Sequence, residues 1–159
     1  MPVTHNTLPA VTRNRSIALL NIHLATAIDL RAQVRQAHWN VRGPGFIAIH
    51  ELFDEVGTRV DVFADLIAER TVALGGVAHG TLPKVVETSL LIPYPLDIAD
   101  EAKHIFAVSA ALAAFGESIN AAIEKCASYD DAATADLFTE ISRTTDHQLW
   151  LVESNTAPR

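Results

Sequence analysis

His38, His50, Asp54, Asp65 and Glu69 are the side chains whose types and spacing could bind and turn over a metal ion. Imidazole nitrogens mixed with carboxylate oxygens, few in number and free of thiolates, leave room for water or an oxidant. Such a set suits Fe(II) or another first-row metal better than calcium or a closed structural zinc site. His50 with Asp54, and Asp65 with Glu69, are spaced i,i+4, at which two helical side chains can reach one ion.

These donors need a helix to present them. From Phe46 to Leu74 the residues Ile49, Leu52, Phe53, Val56, Val60, Phe63, Ile67 and Leu74 recur at steps of three and four. No proline interrupts them, and Gly75-Gly76 supplies the stop. At about 100° per residue, His50, Asp54, Asp65 and Glu69 fall within about 100° of arc and share one face. Asp54 and Asp65 are nevertheless separated by about 16 Å of helix axis, so one chain offers two half-sites. A twofold axis near Thr58 to Val60 would set His50 and Asp54 of one subunit against Asp65 and Glu69 of the other, twice per dimer. Gly57 on this stripe would allow close helix approach, and His38, a short turn before the helix, would add an imidazole. The competing reading is a solvated stripe whose acids pair with Arg59 and Arg70.

The strings AHWNVRGPGF, HELFDE and DLIAERTVALGG, continued by YPLDI and closed by LWLVESN, cover most of the chain. Together they resemble the Dps family, the mini-ferritins named as DNA-binding proteins from starved cells. The resemblance implies an all-α, ferritin-like four-helix bundle assembled as a hollow homo-oligomer, a dodecamer, with an iron-oxidising centre at each twofold interface. By position, His38, His50 and Asp54 would come from one subunit and Asp65 and Glu69 from its partner. Fe(II) would be oxidised by hydrogen peroxide or dioxygen and stored as ferric mineral, with zinc as a possible substitute at the same site. Trp39 matches a family tryptophan beside the centre that takes up stray oxidising equivalents; an aromatic packing at a helix end is the plain alternative.

Of the 159 residues, 49% are hydrophobic, enough for one substantial core. A formal charge of −7 and a sequence pI near 5.4 disfavour a broad nucleic-acid-binding face. The single cysteine, Cys126, cannot form an internal disulfide, which fits a reducing cytoplasm. Residues 1–14 read as a flexible polar arm with no signal-like apolar run, and no later stretch reads as a bilayer span. Residues 15–154 read as the bundle and 155–159 as a tail. Because the arm holds Arg13 but no lysine, and only Arg15 and Arg159 could assist it, DNA binding is expected to be weak.

Within the bundle, Ser16 to Val41 reads as the first helix, carrying His23 as an interior or interface histidine and Arg31 and Arg35 away from the apolar stripe. The stretch from Gly75 to Pro95 is too long for a hairpin link and must cross the bundle, carrying a short helix near Pro83 to Ser89. His79 there reads as a loop histidine. Asp97 is the expected N-cap of the third long helix, which runs to Ser128, and a fourth continues to Glu153 with Trp150 as packing. Glu101 and His104 form a lone Glu-x-x-His pair; lacking the second copy needed for an intrasubunit di-iron site, they read as surface residues. The resemblance places acidic iron-entry pores near the last helix, making Asp131, Asp136, Glu140 and Asp146 candidates, Asp136 foremost. Asp61 adds an acid to the metal-facing stripe, to tune it or to pair with an arginine.

Overall fold

The computed structural model describes residues 4–156 and contains, among them, five helices and no strand. These are α1 (Ala10–Asn40), α2 (Phe46–Ala73), α3 (Leu82–Thr88), α4 (Glu101–Ser128) and α5 (Ala132–Glu153). Helix α1 packs along α2 and α4 along α5, while α3 crosses over α1 between the two hairpins. This is the expected four-helix bundle with a short helix in a long crossover.

The apolar stripes close on one core. Leu20, Leu24, Leu30 and Val34 of α1 meet Phe53, Val60 and Ile67 of α2, Leu112, Phe115 and Ile119 of α4, and Phe138 and Ile141 of α5. Phe63 stacks on Phe115 at 6.2 Å. His23 is interior as expected: Nδ1 lies 2.9 Å from the Leu19 carbonyl and Nε2 3.1 Å from that of Ser118. Cys126 is also buried, which pushes its thiol up to about 12.

Three boundaries and surfaces differ from expectation. Helix α1 starts after Pro9 rather than at Ser16, because proline at the helix entrance has no N–H to lose and the polar residues that follow tolerate helix. The arm is therefore partly helical from Ala10. The N-cap of α4 is Asp100, whose carboxylate accepts the Lys103 N–H at 2.9 Å, not Asp97. Contrary to the sequence reading, α4 is long and apolar enough to cross a membrane; half of its most apolar stretch is buried within the fold, against α1 and α5.

Candidate metal centre

The α1–α2 hairpin places its two histidines face to face. His38 lies in the last turn of α1, and His50 in the first turns of α2. Their rings stack with centroids 3.7 Å apart and planes 22° from parallel. Nδ1 of His38 donates to the His50 carbonyl at 2.9 Å, and Nδ1 of His50 donates to the His38 carbonyl at 2.8 Å. A carbonyl only accepts, so both Nδ1 atoms carry hydrogen. In the neutral rings both Nε2 atoms then keep lone pairs, the arrangement in which a second hydrogen bond fixes the tautomer of a metal-binding histidine.

The link Val41–Gly45 that sets this geometry is clamped by the start of α4. The Arg42 N–H donates to the Ala99 carbonyl at 3.0 Å, and the Glu101 N–H returns to the Arg42 carbonyl at 3.0 Å. The Glu101 carboxylate accepts the Gly45 N–H at 2.8 Å, capping α2 where Gly45 has no side chain to do so. A Cβ at Gly43 would collide with that carboxylate. Neither Glu101 nor His104 is a surface residue as expected: Glu101 is half-buried and His104 is 1% exposed. A Glu-x-x-His pair has the same spacing whether it faces water or a neighbouring hairpin.

The carboxylates are exposed on α2. Asp54 is held by Arg35 at 3.1 Å and Asp61 by Arg31 at 2.7 Å. The paired arginines are thus those of α1, not Arg59 or Arg70, and Asp61 takes the arginine alternative. Gly57 serves the same contact: it is buried, and a Cβ there would lie 2.7 Å from Arg31 Nη1. Its lack of a side chain admits the guanidinium of its own chain. Asp65 and Glu69 are exposed on the same face, where Ile47, Val62 and Val72 also stand 63%, 50% and 59% exposed. Among the described residues no three His, Cys, Asp or Glu side chains gather closely enough to hold an ion. Trp39 is 68% exposed beside His38.

Of the pore candidates, Asp131 is committed elsewhere. It is the N-cap of α5, accepting the Thr134 N–H at 3.1 Å and hydroxyl at 2.6 Å, and it pairs with Arg70 at 3.0 Å. Burial alone would raise its carboxyl, but the hydrogen bonds from the Thr134 hydroxyl and N–H, with the Arg70 charge, help hold it below its ordinary value. A buried capping acid cannot line a pore. Asp136, Glu140 and Asp146 are exposed on α5. His79 is exposed, its main-chain N–H held by Asn21 at 2.8 Å.

This fold defines a class: residues 17–157 match the ferritin-like domain family. Within it, the chain is 42% identical over 152 residues to the DNA protection during starvation protein of Agrobacterium fabrum, covering 96% of this chain and 94% of that one. Its backbone superposes on the Dps of Mycobacterium smegmatis with a TM-score of 0.93 at 26% identity, covering 99% and 95% of the two chains. For DpsA14 from Streptomyces coelicolor the TM-score is 0.92 at 33% identity, covering 98% and 92%. The chain belongs to the Dps family of ferritin-like proteins.

Proposed function

We propose that this chain is a ferroxidase and iron-storage mini-ferritin whose metal centre is completed only between two subunits. The reading is carried by the His38–His50 exchange, which holds two imidazoles in one tautomer with both Nε2 lone pairs free. A purely structural pair could satisfy its Nδ1 atoms the same way, but then two lone pairs would stand unused beside an exposed carboxylate helix.

The α2 face supports docking of a second copy. Ile47, Val62 and Val72 fall on the stripe that holds Asp54, Asp65 and Glu69, so apolar area is exposed together with one arginine-paired acid, Asp54, and two acids, Asp65 and Glu69, that pair with no cation among the described residues. Water serves the acids and not the apolar groups; an antiparallel α2 from a partner would cover the latter while bringing its own Asp65 and Glu69 to His38, His50 and Asp54. Ferrous ion is the substrate. Two ferrous ions surrender one electron each and reduce hydrogen peroxide, with two protons, to water; dioxygen is the alternative oxidant. The ferric product is stored within a dodecameric shell in the cytoplasm, with Asp136 and Glu140 near its iron entrance. Such chemistry removes both reagents from which hydroxyl radical forms. Zinc has no support beyond its general taste for such ligands.

Complementation tests the shared centre. His50→Ala/Asp54→Ala and Asp65→Ala/Glu69→Ala chains are each expected to lose rapid Fe(II) oxidation. When they are co-assembled at random, half of the dimers are mixed and each holds one intact site of two. About one quarter of the sites, and of the activity, should then return. No return on mixing, in shells confirmed to contain both chains, would overturn the inter-subunit reading.

A further inference from the structure

Tyr94, in the crossover just before α4, places its hydroxyl 2.6 Å from Nδ1 of His104. The rings are stacked, 16° from parallel with centroids 6.1 Å apart. Among the described residues the Tyr94 hydroxyl meets no other acceptor, so we assign its O–H as the donor and the Nδ1 lone pair as the acceptor. The imidazole proton then sits on Nε2, which is buried without a hydrogen-bond partner among the described residues. A donor buried in this way carries a desolvation cost that a packing role would not require of a residue an apolar ring could replace.

We propose that Tyr94 and His104 form a proton-coupled electron donor that quenches one-electron oxidants of the hydroxyl-radical class. One electron leaves the Tyr94 ring and reduces the hydroxyl radical to hydroxide. The phenolic O–H bond breaks as its proton crosses the 2.6 Å hydrogen bond to form an N–H bond at Nδ1 of His104. The products are a neutral phenoxyl radical, an imidazolium and hydroxide, so charge is conserved. A ferrous ion can return the electron, becoming ferric while the proton goes back to oxygen.

The surroundings suit both ends of this step. Burial keeps the imidazole neutral and able to accept, whereas the nearby Asp100 charge and the Ile98 and Asn40 carbonyls favour the cation once it forms. Coupling electron to proton also avoids leaving a radical cation on a half-buried ring, which low dielectric would penalise. The pair lies beneath the clamped hairpin: Asn40 is two residues beyond His38, and Glu101, one turn before His104, holds the Gly45 N–H. The other of the two tyrosines provides an internal contrast. Tyr129 carries the Arg15 guanidinium 5.5 Å over its ring, and a cation there opposes removal of an electron.

The forward step needs no iron, so it stands or falls apart from the ferroxidase reading. Full-length, iron-free protein is exposed to radiolytically generated azide radicals, frozen rapidly and examined by electron paramagnetic resonance. The expected result is a tyrosyl signal with the high-field signature of a hydrogen-bonded phenoxyl, formed more slowly in heavy water. Tyr94→Phe should lose most of it, and Tyr129→Phe should keep it. His104→Gln should lower its yield; if that chain does not fold, the Tyr94→Phe loss and the isotope effect decide. Tryptophan radicals alone, a tyrosyl signal surviving Tyr94→Phe, or a radical without a hydrogen bond or isotope effect would each overturn the proposal.

Discussion

Arg35 on α1 reaches across to Asp54 on α2 and holds its carboxylate at 3.1 Å. The same acid is a candidate metal ligand, so a guanidinium occupies the charge an incoming cation would use. The Asp54 side chain is 54% exposed and that of Arg35 31%, and pairs this open contribute about 0–1 kcal/mol. Displacement by a divalent ion is therefore easy, but not free. Arg35→Gln should lower the half-saturating Fe(II) concentration by up to about fivefold at low salt, the effect of at most ~1 kcal/mol. Initial-rate oxidation at two ionic strengths checks this: the gain should shrink as salt screens the arginine in the parent protein.

Asp131 and Arg70 yield a stability prediction with a definite pH sense. Asp131→Asn leaves a half-buried arginine without its charge partner and weakens the α5 cap, costing about 3 kcal/mol, the lower end for a broken buried pair. Because the Asp131 carboxyl is held below 3.8 in the folded chain, the unfolded chain takes up a proton first as pH falls. The stabilisation is therefore fully present above the unfolded value and is lost as pH falls through the folded one. Thermal melts at neutral pH should show the full gap between parent and variant, narrowing below about pH 4.

The shared face of α2 was legible because helical periodicity alone fixes where His50, Asp54, Asp65 and Glu69 point. The same arithmetic could not reveal the His38–His50 exchange, since it depends on main-chain carbonyls at the two sides of a turn. Glu101 and His104 were misread for a related reason: Gly45, which Glu101 caps, is 56 residues away, and no local pattern signals it. Asp131 looked like other turn acids near the last helix, although its spacing to Thr134 fits a cap as well as a pore. Gly57 was placed on the correct stripe, but sequence could not say that Arg31 fills the space above it.

His23 predicts a second pH dependence in a different window. Its two ring nitrogens face two carbonyls, which a neutral ring can serve only one at a time. Burial nonetheless holds its pKa below 6.5, against the pull of those carbonyls and with help from the Lys125 charge. As pH falls through 6.5 the unfolded chain binds a proton that the folded chain refuses, so stability falls with falling pH and levels off below the folded value. The melting temperature should decline between about pH 7 and pH 5, and His23→Gln should flatten that decline. An unchanged slope in the variant would assign the dependence to other histidines.

The N-terminal arm bears on whether protection works through DNA. Arg13, expected to be one of the arm's few phosphate-binding cations, is turned inward, donating to the Leu8 carbonyl at 2.7 Å and the Asn6 carbonyl at 3.3 Å. Arg15 lies over the Tyr129 ring, while Arg159 falls outside the described residues. A phosphate would have to compete with those carbonyls, on a chain whose formal charge is −7. The assembled protein should therefore give no gel retardation of duplex DNA at physiological salt, and only weak, length-dependent retardation at low salt through many subunits. Adding Arg13→Ala should leave that weak binding almost unchanged, because the side chain is already engaged. Tight retardation that disappears in Arg13→Ala would mean that the arm unlatches and that compaction contributes to protection.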